Sequence, residues 1–262
     1  MKIAAQGLAI VFTVFLIWFG LSQLDYVSFF KVKQNGQDLE TALGELIWDE
    51  IAKTEDVVLN DSLVKTLDKL INPLCEANGI ERDSLKVHII EKDEINAFAL
   101  PNNHLVVYTG LIADCKNQQA LQGVLGHEIA HIENKHVMKK LSKEIGFSVL
   151  LSATTGGKAG EVLKEIFRTL SSSAYDRSLE KEADITSVDY MIAADIDPKP
   201  LADFMYEMAM DSQMPKEMYW IASHPESEER AQYILEYIKG KKLKSKATIT
   251  EKEWQAFQKL AE

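Results

Sequence analysis

Apolar positions along the chain fall into three patterns. The first is continuous: Ile3 to Leu24 carries no charge over 22 positions, 16 of them apolar. A helix of that length, at about 1.5 Å per residue, reaches roughly 33 Å and can cross a hydrocarbon core of about 30 Å. The pattern predicts an uncleaved N-terminal membrane anchor. A cleaved signal peptide is the weaker alternative, because Leu16–Leu24 reads LIWFGLSQL without a small-x-small site. A buried core helix at the extreme N-terminus is weaker still. Lys2 lies on one side of the run and Lys31 and Lys33 on the other, so the orientation signal is slight. Behaviour as a signal anchor places the remaining chain on the periplasmic or extracytoplasmic side of a single-pass protein.

The second pattern is helical. Leu39, Leu43, Leu46 and Ile47, then Leu63, Leu67, Leu70 and Ile71, recur at three-and-four spacing. Pro73 is expected to interrupt the second run, and Asn78-Gly79 marks a turn. The third pattern is short and strand-like, over Leu85–Ile90, Ala97–Leu100 and Leu105–Thr109, with turn chemistry at Asn102-Asn103. Beyond it, Gln118 to about Ile145 predicts one long helix. Phe147–Ala153 is apolar but too short to span a bilayer. Thr154–Gly160 reads as a loop, Glu161–Asp195 as helix broken near Ser171–Ser173, and Pro200–Asp211 and Ser227–Lys239 as further helices. No repeat or second core is visible. These patterns divide the chain into an anchor at 1–24, a juxtamembrane linker at 25–38, one α-rich α+β domain at 39–240 and a charged tail at 241–262.

Composition narrows the possible functions. The 262 residues include 29 basic and 40 acidic side chains, a net charge of −11, which repels phosphate backbones and excludes nucleic acid as a partner. From Asp25 onward there are 28 basic and 40 acidic residues, a net charge of −12, so the domain as a whole is repelled by an anionic lipid surface. A chain of this size needs no disulfide framework. Cys75 and Cys115 can form one bridge in an exported domain or remain buried thiols.

Within the predicted long helix stands His127-Glu128-Ile129-Ala130-His131. Spacing of i,i+4 turns the two imidazoles only about 40° apart, so both can reach one Zn²⁺, while Glu128 can take a proton from water that the metal polarises. Gly123 and Gly126 weaken a helix by roughly 1 kcal/mol each relative to Ala, which predicts something packed tightly on that face. A catalytic zinc needs a third protein ligand. Glu180, in the sequence EKEAD, is the candidate, with Asp184 one turn on to hydrogen-bond the far nitrogen of a ligating histidine. Glu182 reads as a solvated acid. His136 is out of phase with His127 for the same metal, and His88 and His104 read as strand or turn residues.

Five motifs together carry a resemblance: NAFALP from Asn96, VYTGL from Val107, GVLGHEIAH ending at His131, EKEAD from Glu180, and SHP from Ser223 followed by Arg230. In this order they resemble the membrane-associated zinc metallopeptidases typified by the CAAX prenyl protease and the bacterial heat-shock protease HtpX, with their periplasmic and mitochondrial relatives. The resemblance covers roughly Leu39–Lys239. It implies a gluzincin-type fold with a small sheet, one zinc held by His127, His131 and Glu180, and Glu128 as general base. It also implies active-site placement of His224 and Arg230, which either stabilise the developing oxyanion or bind Glu180 and substrate. The strand before the metal helix is implied to pair with an extended substrate. Main-chain addition to a sheet edge supports this independently, with Ala97–Leu100 as the available segment beside Asn102, Asn103 and His104, and the substrate-binding candidates are Asn96, Ala97, Phe98 and Ala99.

The expectation is a membrane-held zinc metalloendopeptidase acting on membrane or envelope proteins in quality control. The chain lacks the several long apolar spans expected of intramembrane prenyl-protein processing. Two rivals remain, a membrane chaperone or adaptor with a structural zinc, and a latent protease whose open zinc position is filled by His224. Oligomeric state is not encoded in any of these patterns.

Overall fold

In the computed structural model the described residues are 32–154, 159–172, 175–210, 220, 224 and 227–262. The expected anchor at 1–24 and most of its linker lie outside them. Among the described residues no helix is long and apolar enough to cross a membrane. The chain divides into two units, residues 1–40 and 41–262. Of the first, only the start of helix α1 (Val32–Thr54) is described; the architecture below is that of the second.

Helix α2 (Asp61–Asn78) shows how local chemistry sets the boundaries. The Asn60 side chain accepts the N–H groups of Ser62 and Leu63, and Gly79, at φ 67°, closes the other end with its N–H on the Cys75 carbonyl. Pro73 does not end this helix as expected. Leu74 and Cys75, both fully buried, follow it, and their apolar burial offsets the roughly 3 kcal/mol cost of a mid-helix proline. Cys75 and Cys115 are both buried and unbridged, and burial pushes the Cys75 thiol up to about 11.

Strands β1 (Lys86–Ile90), β2 (Ala97–Leu100) and β3 (His104–Tyr108) form one sheet in the order β1-β3-β2, with β1 parallel and β2 antiparallel to β3. Asn102 and Asn103, at φ 60° and 61°, make the left-handed turn between β2 and β3. All five residues of β3 are buried, as the middle strand requires, and β2 is left at an edge. Helix α3 (Thr109–Asp114) leads into α4 (Gln118–Glu133), which the Asn117 side chain caps.

The single helix expected to reach residue 145 is two. Lys135 adopts φ 55°, and α5 (His136–Glu144) starts in a new direction. Helices α6 (Phe147–Thr154), α7 (Ala159–Ser172), α8 (Arg177–Ala193), α9 (Lys199–Met210), α10 (Ser227–Ile238) and α11 (Glu251–Ala261) complete the described residues. The result is a mostly helical α+β fold around α4, which is buried along nearly its whole length.

The glycines of α4 explain how other helices reach it. A Cβ at Gly123 would sit 2.6 Å from Leu201 Cβ of α9, and one at Gly126 would sit 2.7 Å from Ser187 Oγ of α8. Ser187 then donates to the Gly123 carbonyl at 2.7 Å. The costly glycines allow backbone-close packing, as their positions predict.

Residues 241–262, read as a charged tail, instead carry α11. It opens on a Thr250/Glu253 capping box and buries Trp254 and Phe257. The Gln258 side chain donates to the carbonyls of Ile112, Ala113 and Cys115, and Gln118 accepts from the Thr248 and Ile249 amides. Its apolar stripe is only two residues deep among charges, too short to stand out by periodicity. Trp254→Ala is expected to cost about 3–5 kcal/mol in chemical denaturation; a change within error would show that α11 lies outside the cooperative core.

Candidate metal centre

Three helices and the segment before α10 supply the site. Helix α4 presents His127, Glu128 and His131, the first two turns of α8 present Glu180 and Asp184, and α10 presents Arg230. Close packing at Gly126 brings α8 against the imidazoles. His127 Nε2 and His131 Nε2 are 2.8 Å apart. Glu180 places Oε2 3.7 Å from the first and Oε1 3.5 Å from the second. His224 adds Nδ1, 3.4 Å from His127 Nε2 and 2.9 Å from Glu180 Oε1. One ligand atom from each of His127, His131, Glu180 and His224 falls within 4.8 Å of the others, and all four residues are buried.

This donor set fits zinc. Zn–N bonds of about 2.0–2.1 Å in a tetrahedron put neighbouring ligand atoms about 3.3 Å apart, close to the separations found. Charge states suit it as well. Burial, reinforced by His131, pushes His127 down to about 3, so it is a neutral imidazole able to donate to a metal. Burial also lowers His224, against the opposing pull of Glu180. For Glu180, burial favours the neutral acid, but His224 and Arg230 outweigh it and hold the carboxyl well below its usual range.

The far nitrogens of both helix histidines are also engaged. His127 Nδ1 lies 2.8 Å from Asp184 Oδ1, the contact that the EKEAD spacing predicts, and His131 Nδ1 lies 3.0 Å from His136 Nδ1. His136 is not part of the four-residue cluster, as its phase implies. The bend at Lys135 instead returns it to His131, with Glu182 3.4 Å from its other nitrogen, so Glu182 is more than a solvated acid. A helix continued to residue 145 hides both contacts.

Arg230 binds through its full fork. Nε and Nη2 donate to the two Asp184 oxygens at 2.8 and 2.7 Å. Nη1 reaches Glu180 Oε2 at 2.8 Å and the His224 carbonyl at 3.0 Å. Tyr233 also donates to Asp184. Burial alone would raise the Asp184 carboxyl, but Arg230 holds it well below the ordinary value.

Glu128 lies beside the cluster. Trp220 Nε1 donates to its Oε1 at 2.8 Å, the Ala99 amide of β2 donates to its Oε2 at 3.1 Å, and His224 Nε2 lies 3.4 Å from Oε1. Burial raises its carboxyl to about 7, against the lowering pull of His131 and Trp220. A cavity of about 540 Å³ opens here, lined by Asn96, Phe98, Ala99, Glu128, Tyr175 and His224 among others. Ala97 is fully buried and does not line it. His88 and His104 pair with each other at 2.9 Å on β1 and β3, outside the cluster.

His136, Tyr233, Trp220 and Tyr175 are site residues that the motifs do not contain. Trp220 is fully buried and stacks on His224 with ring centroids 4.5 Å apart. Tyr175 lies 4.3 Å from the His131 ring and 5.6 Å from that of His224. The only sequence signal for Trp220 is the aromatic pair Tyr219-Trp220 shortly before His224.

The profile of Peptidase family M48 matches residues 61–238, a span that holds all of these residues. The chain belongs to peptidase family M48. It is 28% identical over 209 residues to the mitochondrial metalloendopeptidase OMA1 of Bos taurus, covering 71% of this chain and 39% of that protein. It is 29% identical over 181 residues to the metalloprotease LoiP of Escherichia coli, covering 67% and 70%, and 24% identical over 208 residues to the beta-barrel assembly-enhancing protease of Yersinia pestis, covering 72% and 41%. The chain thus spans less than half the length of the first and third. Metalloproteases of this family use zinc, and the His127, His131, Glu180 and His224 cluster is able to bind a metal ion.

Two predictions follow from the Arg230 network. Arg230→Met leaves two buried carboxylates without their cation and is expected to cost about 3–5 kcal/mol in thermal or urea unfolding; a loss below 1 kcal/mol would contradict the network. Because Asp184 is depressed in the fold, the unfolded chain binds the extra proton. Its stabilisation is therefore complete above about pH 4 and is lost as pH falls toward the folded value. Metal-free Asp184→Asn should show a flatter acid limb in pH-dependent unfolding, whereas a limb parallel to wild type would contradict the assignment.

Proposed function

We propose that the protein is a zinc-dependent metalloendopeptidase that cleaves extended segments of membrane or envelope proteins. The observation that carries this reading is Glu128, oriented by the Trp220 indole and the Ala99 amide beside a four-residue donor cluster. A site that uses metal only for structure needs no such carboxylate, which weighs against the chaperone or adaptor reading.

His127, His131 and Glu180 would hold the zinc, with Asp184 fixing His127 and Arg230 fixing both carboxylates. When bound, zinc supplies Lewis-acid polarisation of the scissile carbonyl and of the attacking water. Glu128 takes the proton of that water and returns it to the leaving amine, and a carboxyl poised near neutrality suits both transfers. The outer edge of β2 pairs with the substrate main chain, while Asn96, Phe98 and Ala99 line the cleft that receives it. Ala97 contributes backbone rather than side chain. Arg230 acts through Glu180 and Asp184 and is a positioning residue, whereas His224 is close enough to the cluster to donate to a developing oxyanion.

A second reading concerns the resting state. The 2.9 Å approach of His224 Nδ1 to Glu180 and its membership of the donor cluster favour a latent form in which His224 is a fourth ligand. In this reading His224→Ala raises peptidase activity; as an oxyanion donor, its loss lowers it.

Residues 3–24 hold the domain at the membrane on the extracytoplasmic side, for which protease protection in intact against opened cells is the test. The name of the Y. pestis relative, a beta-barrel assembly-enhancing protease, supports an envelope substrate and a quality-control role. Glu128→Gln should abolish cleavage of unfolded envelope proteins while retaining one zinc per chain. Undiminished cleavage in that variant would refute the mechanism.

A further inference from the structure

The outer edge of β2 offers little main chain. The Asn96 carbonyl accepts the Tyr108 amide at 3.0 Å, and Ala97–Leu100 pair in register with Val107–His104. Alternation along an antiparallel pair therefore turns the main chain of Phe98 toward β3 and that of Ala97 and Ala99 to the outer edge. Two residues before Ala97, the Ile95 carbonyl already accepts the Trp220 amide at 2.8 Å, and the Ala99 amide is on Glu128. Among the described residues this leaves the Ala97 amide and carbonyl and the Ala99 carbonyl for an added strand. Main-chain groups accept any sequence alike, so selection among substrates falls to side-chain pockets.

The cleft carries such a pocket. Phe98 lines it from β2, its ring set edge-on to Tyr108 at 5.7 Å. Helix α7 lines it with a second apolar stripe. Val162, Ile166 and Thr169 of that helix are buried. Phe167 and Leu170 stand one position after the last two, about 100° further round; they are only half-buried, and both line the cleft. The charged side chains of the same cavity answer one another or a neighbour: Lys92 lies 3.3 Å from both Glu55 and Glu94, and Glu50 lies 3.6 Å from Lys53. The part of the wall without such partners is apolar, and it is continuous with Glu128, Tyr175 and His224.

We propose that Phe98, Phe167 and Leu170 form the subsite that selects the substrate, taking a large apolar side chain at one fixed position beside the scissile bond. This rests on the metalloendopeptidase reading and deepens it, from extended segments in general to those that present leucine, methionine, isoleucine or phenylalanine at that position. A short main-chain ladder on Ala97 and Ala99 sets the register, and burial of the apolar side chain supplies the preference. Folded proteins keep such residues inside, so the subsite itself favours unfolded chain over native surface.

The test digests unfolded casein with the zinc-loaded full chain and maps every cut by mass spectrometry, then compares Phe167→Glu and Leu170→Glu, two variants on the same half-exposed stripe. The expected result is enrichment of large apolar residues at one position relative to the cut. Matched peptides with serine in place of leucine there should lose about 10–100-fold in kcat/KM. In either glutamate variant the preference at that position should move toward lysine or arginine, a change that general damage to the fold does not produce. Wild-type cuts without enrichment overturn the proposal. So does an enrichment that both variants retain, whether or not their overall rate falls. Absence of any Glu128-dependent cut, in the wild type and in His224→Ala alike, refutes the peptidase reading and the subsite with it.

Discussion

The architecture of the site depends on one guanidinium. Asp184 and Glu180 are both buried, and an uncompensated pair of carboxylates there would be costly to desolvate. Arg230 answers both, with a bidentate contact to one, a single contact to the other and a further hydrogen bond to the His224 carbonyl. A lysine could supply the charge but not the planar fork that meets both Asp184 oxygens while also reaching Glu180 and the His224 carbonyl. Through Asp184 the same cation orients His127, so the conformation of α10 is coupled to the ligand geometry on α4. The aromatic layer extends this, since the Arg230 guanidinium lies 4.8 Å over the Trp220 ring and Trp220 holds Glu128.

Packing makes that network possible. Had Gly123 and Gly126 carried side chains, α8 and α9 would stand further from α4, and Glu180 could not meet the imidazoles. The lost helix propensity of roughly 1 kcal/mol per glycine is the smaller term beside the interhelical contact it permits. The edge position of β2 has a comparable functional consequence. Its Ala99 amide is directed to Glu128 rather than to another strand, leaving the main chain of the strand beside the proposed proton acceptor.

Much of this was legible because it is local. The HExxH spacing, the i,i+4 relation of Glu180 to Asp184 and the two glycines each encode their geometry within a turn or two of helix, and the structure brings those groups together. Features set by a single backbone departure were not legible. The left-handed Lys135 breaks a run whose apolar pattern continues, and only that break lets His136 reach His131. Pro73 shows the converse, a local breaker overruled by burial beyond it. Residues 241–262 look like a tail because two buried aromatics among many charges give no period, while their tie to Gln118 spans most of the chain. Trp220 gives almost no signal of its own; its role emerges only when α4 and the segment before α10 converge.

The central claim is that His127, His131 and Glu180 form the metal site and that Asp184 tunes it from behind. Zinc titration calorimetry on the wild type, Glu180→Ala and Asp184→Asn tests it most directly. The account predicts loss of measurable high-affinity binding in Glu180→Ala and a weakening of about 10–100-fold in Asp184→Asn, with both variants folded. Wild-type zinc affinity in Glu180→Ala would contradict it.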